Sequence, residues 1–200
     1  YDQLGGGFSR YSVDDQWLVP HFEKMLYDNA LLIDIFSTVY KVEKNPLFKI
    51  RVEEIIDWVI SDMVTSNGGI CSAIDADSEG VEGKYYVWKA KEIDALLQDE
   101  SSHFKSIFGV TDEGNFEGNN ILVFNGSVSD IFDKSIIKSR SILFNERMKR
   151  IPPLLDDKIL TDWNSLMISS LARASAIFEN QEWIKYAENA YEFILNNLII

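Results

Sequence analysis

The sequence predicts a mainly α-helical fold, an incomplete (α/α)6 toroid built of helix hairpins with small β-hairpin insertions. Two observations favour this class. Helical segments come in pairs, in which a helix apolar on most faces is followed by one with a single apolar stripe. Gly clusters and short extended stretches precede the pairs, at residues 5–7 and again at 68–69. Buried inner helices beside amphipathic outer helices are typical of α/α toroids.

The first helix hairpin is predicted between residues 21 and 66. Pro20 suits the first turn of a helix, and the segment from His21 to about Lys44 is apolar on nearly all sides between residues 30 and 40. Pro46 opens a second helix to about Ser66, in which apolar residues recur every three or four positions. The first helix is therefore expected to be buried and the second to cover it.

The rest of the chain is predicted to hold insertions followed by another hairpin. A β-hairpin, or two short strands around a loop, is expected from 70–74 and 84–88. Short helices are expected at 90–99 and 101–108, a strand at 121–124, and helices at 129–150, 162–179 and 182–198. A complete toroid needs about twelve helices. Since only about five long ones are predicted, residues 1–200 are expected to form the first part of a single toroid domain.

Composition excludes several classes of function. The chain has 200 residues, with 19 basic and 32 acidic side chains and a net charge of −13. This balance argues against partners with phosphate backbones or anionic membrane surfaces. Cys71 is the single cysteine, so an internal disulfide or a thiolate zinc site is excluded. The chain opens at Tyr1 and ends in the apolar run 198–200, and we expect it to be part of a longer protein.

Four sequence blocks carry a family resemblance. They are Gly5–Phe8 with Arg10–Asp14, Trp17 and Pro20–Asp28; Ala73–Gly80 with Glu82–Trp88; Glu113–Gly118; and Asp156–Asn164. Together they resemble the thioredoxin-domain proteins of the spermatogenesis-associated thioredoxin-like family. The chain departs from that pattern at Ser9, where relatives often carry His, and at Ser165, where Gly often follows Trp-Asn.

The resemblance implies a fold and, by analogy, a function. In that family a thioredoxin-like domain precedes a toroid similar to N-acylglucosamine 2-epimerases and six-hairpin glycosidases. Residues 1–200 would then lack both the thioredoxin-like domain and the rest of the toroid. The expected function is carbohydrate binding or processing, epimerase/isomerase-like or glycosidase-like, with the fragment inactive alone. The alternative is a non-catalytic module that presents a substrate or partner to the thioredoxin-like domain.

His21 is the leading candidate for proton transfer. Epimerisation needs a base that removes the proton next to a carbonyl, and imidazole suits that task. His21 is predicted to begin the buried helix and to share one face with Lys24 and Asp28. The alternative is a histidine held in a structural hydrogen-bond network. The other histidine, His103, lies in a short predicted helix and is a weak candidate.

Two acidic loops are further candidates. Asp75, Asp77, Glu79 and Glu82 would supply a carboxylate pair for glycosidic chemistry, bind a hard cation, or cap turns in solvent. The calcium-loop pattern fails because its twelfth position is Tyr86. In the second loop, the pocket candidates are Asp156, Asp157 and Lys158, whereas Asp162 fits a helix cap. Asn164 would either donate to a substrate hydroxyl or tie the loop.

Rings and one basic group complete the candidate site, since sugars stack on rings and bond to polar groups. These residues are Arg10, Tyr11, Trp17, Tyr27, Trp88 and Trp163. Most aromatic residues are core, and that alternative stands for Trp88 and Trp163. The predicted catalytic residues are His21, Asp75, Asp77 and Asp157. The predicted substrate-binding residues are Arg10, Tyr27, Asp28, Glu79, Glu82, Trp88, Asp156, Lys158, Trp163 and Asn164. No metal and no cofactor are predicted.

The expected partners follow from the same reasoning. A small-molecule sugar and the thioredoxin-like domain of the parent chain are expected, and nucleic acid and membrane are not. The fragment is also expected to self-associate, because an incomplete toroid leaves inner-helix surface uncovered.

Overall fold

The computed structural model describes residues 1–198, and its secondary structure is dominated by helices. The helices are α1 Leu26–Glu43, α2 Pro46–Trp58, α3 Ala90–Leu97, α4 Ser101–Ile107, α5 Val128–Ile131, α6 Lys134–Arg147, α7 Thr161–Phe178 and α8 Gln181–Asn197. The strands are β1 Lys24–Met25, β2 Ala73–Ile74, β3 Asp77–Ser78, β4 Val81–Glu82 and β5 Leu155–Asp156. A π-helical turn, Val59–Met63, continues α2, and a 3-10 turn, Gln98–Glu100, follows α3.

The chain divides into two compact units. One, which we call the mixed unit, comprises Tyr1–Gly5, Tyr11–Phe22 and Ala76–Pro153. The other, the helical unit, comprises Gly6–Arg10, Glu23–Asp75 and the chain from Leu154 onward. Each unit is assembled from separate stretches of sequence.

The helical unit contains two helix hairpins. Helix α1 packs on both α2 and α7, and α7 packs on α8. The Ser170 hydroxyl of α7 donates to the Ala30 carbonyl of α1 over 2.8 Å, which holds the two helices close. Three antiparallel strands, in the order β1-β2-β5, complete this unit, with Lys24 opposite Ile74 and Ala73 opposite Asp156.

The mixed unit encloses two apolar clusters. The larger is built on the fully buried Trp88, Ile93, Phe104 and Leu143, contributed by α3, α4, α6 and the segment before α3. The smaller surrounds Phe22. The β3–β4 hairpin lies in this unit, and Gly83 follows it at φ +72°, where an added Cβ would lie 2.4 Å from the Phe22 ring.

The predicted fold class is confirmed as mainly α, with helix hairpins and small β-hairpin insertions. The predicted helix start at His21 is wrong, because α1 begins at Leu26 and the preceding residues pair with β2. His21, Lys24 and Asp28 therefore do not share a helix face. The buried Lys24 ammonium instead donates to the Gly6 carbonyl over 2.7 Å.

Three further boundaries differ from the prediction. Residues 84–88 and 121–124 form no strand, although Trp88 and Asn120 make a single antiparallel bridge. The predicted helix 129–150 is divided, because the Asp133 carboxylate caps α6 by accepting from the Ser135 and Ile136 amides.

No helix among residues 1–198 is long and apolar enough to cross a membrane. The apolar end of the chain at Ile199 and Ile200 lies outside the described residues.

Candidate functional site

The mixed unit brings His21 and Glu82 into direct contact. Their Nδ1 and Oε1 atoms are 2.8 Å apart, although the residues are 61 positions apart in the sequence. The His21 amide donates to the Tyr11 carbonyl over 2.8 Å, and the Tyr11 ring stacks on the imidazole with centroids 4.9 Å apart. In the tautomer that carries its proton on Nδ1, the imidazole donates to the Glu82 carboxylate and Nε2 is the acceptor nitrogen. This pair is called the His21–Glu82 dyad below.

A cavity of about 550 Å³ adjoins the dyad, since Glu82 forms part of its wall. Its size falls in the range of small-molecule sites, which is roughly 300–1,000 Å³. Tyr85 and Phe116 supply aromatic surface, and Arg150 supplies a fixed basic wall. The Arg150 guanidinium donates to the Tyr85 and Val87 carbonyls over 2.9 and 2.8 Å. It is therefore held in place by the backbone.

The acidic residues of the first loop, at positions 75–82, each have different neighbours. Asp77 lies opposite Glu82 in the β3–β4 hairpin. Directly opposed residues share one sheet face with Cβ atoms about 4.5–5.5 Å apart, so these two carboxylates are neighbours. Glu79 is paired with the Lys84 ammonium at 2.7 Å. Asp75 belongs to the helical unit, where its amide donates to the Leu154 carbonyl over 2.8 Å.

The helical unit brings four predicted substrate-binding residues together. The Tyr27 ring lies 4.7 Å from the Trp163 ring, centroid to centroid. Tyr27 is also the largest influence that raises the pKa of the Arg10 guanidinium, to which Glu23 and Asp28 add. Arg10 lies 3.5 Å from the Glu23 carboxylate. We call Arg10, Tyr27, Asp28 and Trp163 the aromatic–arginine cluster.

Asp28 has the most unusual environment in this cluster. Burial raises the pKa of its carboxyl, Glu23 adds to the rise, and Arg10 opposes it. Its Oδ2 atom is enclosed and has no hydrogen-bond partner within the described chain. A carboxyl in such surroundings favours its protonated form more than an exposed one does.

The second acidic loop is partly tied to the fold. Asp156 lies in β5, where its carbonyl accepts from the Ser72 amide over 3.1 Å. Its carboxylate binds the Lys158 ammonium at 2.6 Å, and that bond is the main cause that lowers the pKa of Asp156. Asp157 is exposed. Burial raises the pKa of the Cys71 thiol, and the charges of Asp157 and Asp156 raise it further.

Two predicted substrate-binding side chains lie wholly in the interior. Trp88 is fully buried in the larger apolar cluster of its unit, with the Arg150 guanidinium 4.0 Å from its ring centroid. Asn164 is fully buried and donates to the Ile70 and Leu160 carbonyls, while its own oxygen accepts from the Ile70 amide. Both places correspond to the structural alternative for these residues.

The arrangement includes one residue that sequence reasoning missed, Glu23, which contacts Arg10. Glu23 belongs to the first family block, so its position in that block was the available signal. Tyr11, one of the rings considered for the site, covers one face of the His21 imidazole. Among residues 1–198 no group of three or more His, Cys, Asp or Glu side chains is placed to hold a metal ion.

Comparison with known proteins gives several relatives. No family model matches the chain. Human spermatogenesis-associated protein 20 is 32% identical over 98% of this chain and 30% of its own length. An uncharacterized Caenorhabditis elegans protein is 32% identical over 97% of the chain and 31% of its own length. The rat protein of the same name is 29% identical over 98% of the chain.

These relatives confirm the resemblance given by the four sequence blocks. The chain spans about a third of the length of the curated relatives that it matches. Among solved structures, a crystal structure of D-mannose isomerase matches with a TM-score of 0.35 and 14% identity, covering 94% of this chain and 45% of that one.

Proposed function

We propose that this chain, a homologue of spermatogenesis-associated protein 20 over nearly all of its 200 residues, is part of a carbohydrate-processing domain with sugar isomerase- or epimerase-like chemistry. We further propose that the domain is an (α/α)6 toroid and works beside a thioredoxin-like domain of the same parent protein. The observation that carries the functional proposal is the contact of His21 with Glu82, a residue that lines a cavity of about 550 Å³.

The dyad has the parts that carbonyl-adjacent proton transfer requires. With Nδ1–H bonded to Glu82, Nε2 of His21 accepts the proton from the carbon beside the sugar carbonyl. The resulting imidazolium is stabilised by the Glu82 carboxylate, and the substrate becomes an enediolate. Return of the proton to the neighbouring carbon, with the O2 hydroxyl proton passing to O1, gives the ketose. The epimer forms when the enediolate turns over in the site and the same imidazolium returns the proton to the opposite face of the first carbon. The enzyme ends each cycle in its starting protonation state.

The aromatic–arginine cluster supports carbohydrate as the substrate class. A sugar ring has an apolar face that suits Tyr27 and Trp163, and hydroxyl groups that suit the Arg10 and Asp28 side chains. In the helical unit these four side chains form a contiguous group with mixed aromatic and charged character. We propose that they bind sugar hydroxyls and ring faces.

The neighbouring carboxylates support a second candidate function, hydrolysis of a glycosidic bond. Asp77 and Glu82 face each other across the β3–β4 hairpin. In such hydrolysis one carboxyl protonates the leaving oxygen and the other acts as nucleophile or base. Release of p-nitrophenol from p-nitrophenyl glycosides, lost in Asp77→Asn, would support it over isomerisation.

The test of the first proposal uses the full-length protein that contains these residues. D-mannose, D-glucose and N-acetyl-D-glucosamine are incubated with it in D₂O, and loss of the C2 proton signal is followed by NMR. General base catalysis contributes about 10²–10⁴-fold, so His21→Gln is expected to slow exchange at least 100-fold. Glu82→Gln, which keeps a partner for Nδ1 without the charge, is expected to retain part of the rate.

His103→Gln is the matched control, because it removes the other histidine and is expected to leave the exchange rate unchanged. Exchange that is equally fast in His21→Gln would refute the catalytic role of the dyad. Absence of exchange with every sugar would refute the isomerase and epimerase proposal for these substrates. The non-catalytic presenting module would then be the better account.

A further inference from the structure

A short hairpin that ends at the dyad carries an exposed tryptophan at its tip. Ser12 pairs with Pro20 in an antiparallel bridge, and the Val13 amide donates to the Val19 carbonyl over 2.9 Å. Trp17 lies between these pairs with 84% of its surface exposed. We call residues 11–21 the Trp17 loop.

The Trp17 loop is held by its own hydrogen bonds. The Asp14 carboxylate accepts from the Leu18 and Val19 amides, each over 2.9 Å. The Ser12 hydroxyl donates to the same carboxylate over 3.1 Å. These bonds fix the backbone on both sides of the tip, so the backbone position of Trp17 is set before any ligand arrives. A loop with a preorganised backbone binds a ligand at a smaller ordering cost.

The backbone of Trp17 is strained. Its φ is +59°, in the left-handed region that glycine and asparagine favour and that a bulky side chain rarely adopts. A glycine would adopt this φ without the clash of a Cβ. Backbone strain of this kind clusters at ligand-binding and catalytic positions, where the side chain is retained for its use. The Trp17 indole is exposed, so burial of the side chain does not offset this backbone strain.

We infer that Trp17 is a carbohydrate-binding residue whose ring stacks on the apolar face of a sugar held at the His21–Glu82 dyad. This inference rests on the proposed function. Four residues span at most about 14 Å of chain, which sets the upper limit of the Cα–Cα distance between Trp17 and His21. Tyr11, at the base of the same loop, is half exposed and stacks on the His21 imidazole.

The surroundings of the ring favour a sugar. The neighbouring Asp15 and Gln16 are exposed polar side chains, able to bond to hydroxyl groups at the edge of a stacked ring. A single aromatic face with polar groups around it matches a ligand that is apolar on one face and polar around its rim. A pyranose has that distribution.

The test measures sugar affinity and exchange together in the full-length protein. Trp17→Ala is expected to raise the KM for C2-proton exchange, and the dissociation constant for D-mannose or N-acetyl-D-glucosamine, about tenfold, with kcat within twofold. Tenfold corresponds to about 1.4 kcal/mol. Trp17→Phe keeps a ring and is expected to retain most of the affinity. Phe132→Ala, at another exposed aromatic residue of the mixed unit, is the control and is expected to change neither constant.

A glycine variant separates binding from folding. Trp17→Gly relieves the strain, so its melting temperature is expected to equal or exceed that of the wild type while its sugar affinity falls as in Trp17→Ala. Equal affinity in wild type and Trp17→Ala would overturn the inference and leave the catalytic proposal intact. Trp17-dependent sugar binding without any exchange would support the inference and refute the catalysis. Absence of sugar binding by the wild type would overturn both.

Discussion

Asn164 offers a sharp test of how the helical unit is held together. Its side chain makes three hydrogen bonds, of which two bind the amide and the carbonyl of Ile70 at 3.0 and 2.9 Å. Ile70 is fully buried, so water does not replace these bonds when they are lost. Each orphaned backbone group costs about 1–3 kcal/mol, and we expect Asn164→Ala to lower the local free energy of opening by about 3 kcal/mol.

The Ile70 amide itself reports this loss. Hydrogen exchange followed by mass spectrometry of a peptide covering this residue measures its opening equilibrium. A loss of about 3 kcal/mol corresponds to roughly 100-fold faster exchange. Asn196→Ala, at an exposed asparagine of α8 in the same unit, is the control and is expected to leave the rate unchanged. An Ile70 exchange rate within threefold of wild type in Asn164→Ala would refute the reasoning.

Two further predictions concern buried charge. Asp2 and Arg147 lie 2.7 Å apart, with side chains 5% and 4% exposed. Asp2→Ala is expected to lower the free energy of unfolding of the mixed unit by about 3–5 kcal/mol in urea, because it leaves the Arg147 charge buried without its partner. The double variant with Arg147→Met should recover much of this loss, and a double variant as unstable as Asp2→Ala would contradict the unpaired charge as the cause. Burial raises the pKa of Asp28 in the folded state, so its contribution to stability is present at low pH and lost as pH rises through that pKa. Asp28→Asn is therefore expected to raise the melting temperature at pH 7, with the gain vanishing toward about pH 4, whereas Asp15→Asn at an exposed carboxyl shows no such trend; a gain that grows on acidification would reverse the assigned sign.

Local signals predicted the last hairpin closely. The predicted helices 162–179 and 182–198 correspond to α7 Thr161–Phe178 and α8 Gln181–Asn197. Between them, Glu179 takes a left-handed conformation and the Asn180 side chain accepts from the Glu182 amide over 3.0 Å. Periodicity and capping residues lie within a few positions of each other, so the sequence exposes them directly.

Strand pairing limited the prediction elsewhere. Residues 21–25 have helical periodicity, yet Lys24 and Met25 pair with Ile74 and Ala73. The Leu26 amide donates to the Ser72 carbonyl over 2.9 Å, which fixes the point where the helix takes over. A pairing partner some fifty residues away leaves no trace in the local pattern, so tertiary pairing overrode the helical periodicity.

The candidate site shows the same difference between local signals, which the sequence exposes, and long-range contacts, which it does not. Arg10, Tyr27 and Asp28 belong to one sequence block, and Tyr27 and Asp28 lie close enough to Arg10 to raise the pKa of its guanidinium. The contact of His21 with Glu82 was not predictable as a pair, since it forms only when the chain folds back over 61 residues. Asn164 could not be assigned to either alternative from sequence, because its bonding partner Ile70 lies 94 residues away.

The order of the strands has a consequence during synthesis. Strand β2 pairs with β1 on one side and with β5 on the other, and roughly 80 residues separate β2 from β5. A ribosome working at about 5–20 residues per second needs about 4–16 s to make that stretch. During this interval one edge of β2 has no partner, and an open edge is a template for pairing with another chain. The nascent chain is therefore most exposed to misassembly while residues 76–153 are being translated, and this hazard ends when Leu155 and Asp156 close the sheet.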